Sequence, residues 1–534
     1  MIKLLVLGLD GATLEVIRPL CAEGVLPTLG RMIKDGAHGI LESTFPPMTA
    51  PAWAALATGK NPGKTGVFDA YNRVRKDSRE VKLFTSSHVR SAGAYWDYLS
   101  RAGLTVAVVN YPFLFPPYEI NGVMVSGLGS NPKGPIAYPP AFKEELLTAC
   151  PRYRIDVPWH QAQYRSNPSL FMEHLSEVLD TNEASLRLLM EKDFDVLTYV
   201  ISASDFAQHY MWRYVDPSHP YYSEEEACRY GPEFRNIWRR IDRIVAMALE
   251  GLPKDAHVLI VSDHGFGCHR GSFYTGSWLK EKGYLHRRGA VRRQIMGFQA
   301  KLKRLAQFLA PGIYNSLGHS RVAMKILRLG VQAEVDLRRT LAFSEVNASL
   351  VGNICINLQN PSVADGSVDI QGLRSRIVSD LQKTCEELGI KVKVYRPADL
   401  YRGPFVELAH DILFEMDEGE CMIRFGFGKK FYEKVARDPQ QSGIHKMAGV
   451  FVAYGPGISR EANVENARIY DVAPTILHIM GRPIPDDMDG RVLSEIFAHG
   501  SALASRDPAE RGASSTKESV RDRVRKLRAS GKLP

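Results

Sequence analysis

Short, continuous apolar runs recur along the chain, each closed by Gly, Pro or Asp or a neighbouring polar residue: residues 4–9, 105–110, 123–126, 196–201, 258–262 and 450–454. Runs of this length without polar alternation predict strands covered on both faces. Between them, apolar positions at three- and four-residue spacing predict helices, for example over 168–191 and 233–249. Strands alternating with helices predict an α/β fold whose central, mostly parallel sheet lies between helices. Ligands gather at the carboxyl ends of such strands. Asp10, Asp205, Asp263 and His264 each closely follow a predicted strand, so we expect them at one edge of the sheet.

The pattern changes after residue 284. No acidic residue occurs between Lys282 and Glu334, while Arg287, Arg288, Arg292, Arg293, Lys301, Lys303 and Arg304 crowd the segment. Ile295, Phe298, Leu302, Leu305 and Leu309 recur at helical spacing there. This predicts an amphipathic basic helix in an inserted cap. Residues 344–439 read as further α/β insertion. After His445 the strand–helix pattern returns, with Asp471 placed to cap a helix over 472–480. From residue 501 onward the chain is rich in Ser, Ala and charge, which predicts a disordered basic tail. The expected organisation is a first part of a catalytic core over 1–284, a basic cap and α/β insertion over 285–440, a closing part of the core over 441–500, and a tail over 501–534.

Composition narrows the picture slightly. The 534 residues are 45% hydrophobic and carry a formal net charge of +9, which favours anionic partners without choosing among them. The seven cysteines are scattered and form no CxxC pair, so a reducing compartment fits better than a disulfide framework. No apolar stretch approaches the roughly 20 residues of a membrane span, and the N-terminal run is too short for a signal peptide. We therefore expect a cytoplasmic protein.

The candidate chemistry lies in acids and histidines. Asp10 stands in GLDGAT, Asp205 and His209 in SASDFAQH, Asp263 and His264 in SDHGFG, and His445 in SGIHKMAG. Mixed nitrogen and carboxylate donors suit zinc, with manganese as the alternative. The i,i+4 spacing puts Asp205 and His209 on one face of a helical turn. Adjacent Asp263 and His264 point in different directions and can serve or bridge two sites. Each residue alone has a plainer role as a turn, cap or loop residue. An Asp-His pair directly after an apolar strand has no such packing rationale. Thr49, in TFPPMTAPAWAALATGK, precedes a predicted helix over 52–57. There it could be a simple N-cap or a nucleophile at an anion-attracting helix N-terminus. Lys60 and Lys64, in the turn that follows, are expected to be solvated.

The order GLDGAT, FPPMTAPAW…TGKNPGKTGVFD, SDFAQH, SDHG and GIH…GVFVAYGPG resembles the type I phosphodiesterase/nucleotide pyrophosphatase branch of the alkaline phosphatase superfamily. APTILHIMGRPIPDDMDGRVL is similar to that superfamily's closing segment. RTLAFS, GNICINL and DLYRGP resemble a bacterial and archaeal subgroup described only as predicted phosphohydrolases or phosphomutases. The resemblance covers residues 1–285 and 445–497, and more faintly 339–403. It implies two divalent ions, Zn2+ or alternatively Mn2+. Asp205, His209 and His445 would hold one, and Asp10, Thr49, Asp263 and His264 the other. Thr49 would attack phosphorus and form a covalent phospho- or nucleotidyl-threonine, by in-line displacement. The implied substrates are small phosphorylated molecules, nucleotides among them. Asn110 and Tyr111, after a predicted strand, are further candidates for substrate contact. Nucleotide pyrophosphatases carry an Asn shortly after the nucleophile helix, where this chain has Ala70 with Asn72 nearby.

A sulfatase reading fails because the Arg of C/S-x-P-x-R is missing from Thr49-Ala50-Pro51-Ala52-Trp53. A phosphomonoesterase or phosphomutase of the same superfamily stays open, although phosphoglycerate mutases of this type use Ser. An anion-binding protein with a degenerate enzyme core is the reading from another class. No specific nucleic-acid motif accompanies the basic segment, and all seven ligand positions keep metal-competent side chains. Replacing Arg287, Arg288, Arg292 and Arg293 together by Ser is expected to raise KM for anionic substrates while leaving kcat nearly unchanged. Steady-state kinetics on a charged and a neutral-tailed ester checks this.

Overall fold

The computed structural model describes residues 1–77, 80–158, 160–288, 335–345, 351–435, 441–507 and 511–512. The strand Leu4–Leu9 is buried at all six positions and pairs in parallel with Val196–Ile201 on one side and His257–Val261 on the other. Leu5, Leu7 and Leu9 point into one apolar cluster, and Leu4 and Val6 into a second on the opposite face. With both faces covered, no position of the strand is left for a polar side chain, which is why the run is continuous. At Gly8, a Cβ would come within 2.4 Å of the Trp53 ring. Glycine there lets the indole lie directly on the strand.

The sheet runs in the order Ala462–Arg468, Ala37–Glu42, Ala448–Tyr454, His257–Val261, Leu4–Leu9, Val196–Ile201, Val106–Tyr111, Gly122–Ser126, Ala137–Tyr138. It is mostly parallel; Ala448–Tyr454 is antiparallel to both its neighbours, and Ala137–Tyr138 to its one. Helices Leu14–Ala22, Pro27–Asp35, Pro168–Met190, Ala203–Met211 and Glu224–Glu250 cover one face. Thr49–Thr58, Tyr95–Arg101 and Val472–Ile479 cover the other. The expected α/β architecture is thus the observed one.

The chain forms two compact units. The first comprises Met1–Arg270, Leu400–Ala409 and Ala436–Pro534 and contains this sheet. The second comprises Gly271–Asp399 and His410–Val435. It has an antiparallel sheet in the order Ala342–Phe343, Gly352–Ile356, Ile412–Met416, Val392–Tyr395. Helix Ile370–Leu388 buries Leu373, Ile377 and Leu381, one stripe at four-residue spacing, in that unit's own core. The predicted basic cap helix falls at 289–334 and lies outside the described residues, as does most of the predicted tail. The described start of the tail is folded: Leu503 is buried, and its carbonyl meets His478 Nε2 at 2.9 Å.

Two local expectations need correcting and one qualifying. The helix expected over 233–249 begins earlier, at Glu224. Ser223 caps it by accepting from Glu226 N, and Pro232 is carried inside. Tyr230, Phe234 and Trp238 are buried on both sides of Pro232, and tertiary packing overrides this local helix breaker. Asp471 is the N-cap residue of Val472–Ile479, as expected, but its side chain does not bond that helix's amides. Its carboxylate accepts instead from Arg468 N and Arg491 N. Lys60 and Lys64 are not solvated. Lys60 Nζ lies 2.7 Å from Asp487 Oδ2 with its side chain 3% exposed, and Lys64 Nζ lies 2.6 Å from Asp489 Oδ1. These pairs tie the turn after the Thr49 helix to the PDDMD stretch some 425 residues later, a partner no local window could supply. Burial pulls the Lys60 pKa down and Asp487 opposes that shift. Lys60→Ala is expected to destabilise the protein by about 3 kcal/mol, the low end for breaking a buried pair, because Asp487 is a quarter exposed. A denaturant midpoint lowered at constant m-value is the readout.

Candidate active site

The carboxyl ends of three adjacent central strands deliver the acids. Asp10 directly follows Leu4–Leu9, Asp263 follows His257–Val261, and Asp205 sits in the first turn of Ala203–Met211 after Val196–Ile201. At Gly11 the chain turns with φ +68°, and a Cβ would stand 2.8 Å from the Phe266 ring and 3.3 Å from Asp205 Oδ1. Only glycine fits this turn, and its N–H donates to Asp263 Oδ1 at 3.1 Å. His445 arrives by tertiary pairing. Its strand, Gly443–Lys446, runs antiparallel to Gly265–Cys268 with His445 opposite Phe266. That stacks the His445 ring on His264 with centroids 3.6 Å apart.

The donors form two neighbouring groups. Asp205 Oδ1 lies 3.5 Å from His209 Nε2 and 3.3 Å from His445 Nε2. His264 Nε2 lies 3.2 Å from Asp263 Oδ2, 3.7 Å from Asp10 Oδ1 and 3.5 Å from Thr49 Oγ1. Asp205, His264 and His445 also form a compact trio with donor atoms within 4.8 Å of one another. Thr49 is the first residue of helix Thr49–Thr58, not its N-cap, which is Met48. The helix's hydrogen-bond ladder starts with Ala52 N donating to Met48 O. Pro51 has no N–H, so the amides of Thr49 and Ala50 stay outside the ladder beside the Thr49 hydroxyl.

Charge and hydrogen bonding suit this cluster to cations. Asp10 Oδ1, Asp205 Oδ1 and Asp263 Oδ2 are buried and without a hydrogen-bond partner among the described residues. An isolated buried carboxylate is costly. Every imidazole is anchored through Nδ1 to a backbone carbonyl: His209 to Gly443 O at 3.1 Å, His264 to Gly265 O at 3.1 Å, and His445 to Pro47 O at 3.0 Å. With the proton held at Nδ1, the Nε2 lone pairs face the carboxylates, the arrangement of metal-ligating histidines. His209 Nε2 and His445 Nε2 are 2.9 Å apart, a repulsive contact for two lone pairs that a cation relieves. Burial, reinforced by Asp263 and Asp205, drives the Asp10 carboxyl well above its usual range, and burial pushes Asp263 up to about 7. Burial also lowers His209 to about 4 and His264 well below its ordinary value. Asp205 would rise with burial too, but the three histidines hold it down. The nitrogen and oxygen donors fit zinc or manganese.

Residues 4–338 match the type I phosphodiesterase / nucleotide pyrophosphatase family. The chain belongs to that family. Its fold is alkaline-phosphatase-like and similar to phosphonoacetate hydrolase from Sinorhizobium meliloti 1021, at TM-score 0.56 and 16% identity over 88% of this chain and 94% of that one. Human ectonucleotide pyrophosphatase/phosphodiesterase 5 aligns over 90% of this chain and 95% of that one, at TM-score 0.47 and 13% identity. A stretch of 79 residues is 35% identical to a 2,3-bisphosphoglycerate-independent phosphoglycerate mutase of Shewanella amazonensis; it spans only 15% of either chain. Family membership supports a phosphoryl-transfer enzyme.

Of the residues singled out in the sequence, Asp10, Thr49, Asp205, His209, Asp263, His264 and His445 come together, while Asn110 and Tyr111 are engaged in the core. Asn110 donates to Tyr199 OH and accepts from Tyr153 OH, and Tyr111 OH donates to Trp53 O. Asn72 accepts from Phe68 N and Asp69 N and donates to Asp69 O, so its amide closes its own loop. The supporting residues escaped the sequence reading. Gln208 donates to Gly11 O, Ser43 to Asp263 O and Ser204 to Asp10 O. His219 and His269 hold the carbonyls of Ser442 and Gln441, just before His445. Adding Mn2+ to the chelator-stripped enzyme is expected to raise Tm, by about 2.7 kcal/mol of stabilisation at a hundredfold excess over Kd. Asp263→Ala should lose most of that shift in a thermal-denaturation scan.

Proposed function

We propose that this enzyme is a divalent-metal-dependent phosphoric ester hydrolase of the phosphodiesterase/nucleotide pyrophosphatase type, with Thr49 as its nucleophile. One observation carries the reading: the Thr49 hydroxyl stands at a helix N-terminus, 3.5 Å from His264 Nε2, at the margin of the buried acid–histidine cluster. Asp205, His209 and His445 would hold one Zn2+ or Mn2+ ion, and Asp10, Thr49, Asp263 and His264 a second. Bound there, the ions supply positive charge for the phosphoryl oxygens and acidify a hydroxyl or water. The protein's own groups do the rest. The Thr49 and Ala50 amides and the helix dipole attract the phosphate. The carbonyl-anchored imidazoles keep their lone pairs turned inward. Thr49 Oγ1 gives up its proton and bonds to phosphorus as the ester oxygen leaves, and water then cleaves the phospho-threonine.

Substrates of this reading are small phosphate diesters or pyrophosphates, including nucleotides. The phosphoglycerate mutase stretch favours a phosphomonoesterase or mutase as the second reading. Seven free cysteines fit a cytoplasmic location, and no helix of the described residues is long and apolar enough to cross a membrane. Comparing p-nitrophenyl phosphate with bis-p-nitrophenyl phosphate separates the two readings, since only the first accepts the diester. Thr49→Ala is expected to keep the fold, at a cost of about 1 kcal/mol or less, and to lower kcat by several orders of magnitude. Thr49→Ser should keep appreciable activity. Acid quenching with labelled substrate should trap a phosphorylated peptide containing Thr49. Near-wild-type turnover by Thr49→Ala with metal bound would sink the proposed nucleophile.

A further inference from the structure

The second unit contains a cluster with a different chemistry. Glu345, Cys355 and His410 each present one donor atom, a carboxylate oxygen, a thiol sulfur and a ring nitrogen, all within 4.8 Å of one another. Three separate segments supply them. Glu345 follows strand Ala342–Phe343, Cys355 lies within Gly352–Ile356, and His410 precedes Ile412–Met416. The antiparallel pairing of Phe343 with Cys355 and of Ile354 with Ile412 brings the three segments side by side.

Neither burial nor anchoring here resembles a solvated surface group. Cys355 is 0% exposed and Glu345 9%, and the His410 side chain is 13% exposed. His410 Nε2 stands 3.4 Å from Glu345 Oε2. The backbone on both sides is held. Asn353 accepts from Glu345 N at 2.8 Å and donates to Glu345 O at 3.4 Å. The Asp411 carboxylate accepts from Ile356 N at 2.8 Å and pairs with Arg374. Residues beside all three donors are therefore pinned by side-chain hydrogen bonds, the support a preorganised site requires.

We propose that Glu345, Cys355 and His410 form a second metal site, specific for zinc-class ions and chemically distinct from the acid–histidine cluster. Bond lengths of about 2.0–2.3 Å from zinc to oxygen, nitrogen and sulfur place tetrahedral ligands on the order of 3.5 Å apart. The Glu345–His410 separation, 3.4 Å, already has that value, and the Cys355 sulfur lies within 4.8 Å of both partner atoms. Binding releases the Cys355 thiol proton to solvent and leaves the thiolate on the ion. A thiolate selects zinc, cobalt or cadmium over magnesium, calcium and manganese. Three protein ligands leave a fourth position for water. The plainer arrangement, a buried His–Glu ion pair with a thiol packed beside it, binds no metal and is what the experiment must separate.

Cobalt(II) is the probe, because thiolate ligation gives a near-ultraviolet charge-transfer band that histidine and carboxylate ligation cannot produce. Titrating the full-length, chelator-stripped chain with Co2+ should give a saturable band whose final intensity corresponds to one thiolate-ligated ion per chain, whatever Co2+ the acid–histidine cluster also takes up, and added Zn2+ should abolish it. The band should vanish in Cys355→Ser, weaken in affinity by about tenfold or more in His410→Ala, and persist in Asp263→Ala. A measurement on the wild type alone guards against a misfolded variant: Zn2+ should slow alkylation of Cys355, mapped by peptide mass, without slowing that of Cys385 or Cys421. Absence of the band in the wild type, its survival in folded Cys355→Ser, or equal alkylation of Cys355 with and without Zn2+ would overturn the proposal.

Discussion

Three buried carboxylates and three buried imidazoles occupy one pocket-sized volume, and most of the first unit's local structure follows from keeping them there. In a low-dielectric interior the acids repel one another, and burial opposes ionisation of acid and imidazole alike. Fixed partners overcome this. The carbonyls of Gly443, Gly265 and Pro47 hold the protons of His209, His264 and His445 on the far side of each ring. Each carbonyl comes from a tight backbone feature: the paired Gly443 and Gly265 strands and the Pro46-Pro47 loop leading to Thr49. On the proposed reading, bound cations would supply the positive charge the acids need, and metal affinity and active-site order would then be one property.

The sheet makes this arrangement affordable in stability by burying apolar side chains on both faces of every central strand. Strand ends, by contrast, have no apolar layer to fill, and there the acids emerge. Gly11 lets the chain turn back so that its amide reaches Asp263, and Gln208, Ser43 and Ser204 satisfy the backbone carbonyls exposed by these turns. The Thr49 helix is held from its far end by the Lys60 and Lys64 ion pairs. At its near end, Tyr401 OH donates to Phe45 O in the loop before Thr49.

The second unit has its own core, around helix Ile370–Leu388 and the sheet it covers. Its chemistry differs in kind. A thiol joins an imidazole and a carboxylate there, whereas the first unit's cluster contains no cysteine. Softness of the donor set, rather than geometry alone, separates the metals the two clusters would accept.

The residue pattern by itself determined the buried parallel strands, the helix over 168–191 and the identity of the acids and histidines. Strand burial is written in continuous apolar runs, and the Asp-His pair after such a run has no packing explanation. Long-range partners carry no local signature. Nothing near Lys60 announces Asp487, nothing near His445 announces its stacking on His264, and Pro232 is a local helix breaker that flanking buried aromatics nonetheless hold inside a helix. Asn110 and Tyr111 looked available because they follow a strand, but Tyr199, Tyr153 and Trp53 engage them, and those contacts exist only once the sheet has formed. Glu345, Cys355 and His410 are separated by up to 65 residues and share no motif. Strand pairing alone brings a carboxylate, a thiol and an imidazole within reach of one ion, because sheet register joins positions that sequence distance keeps apart.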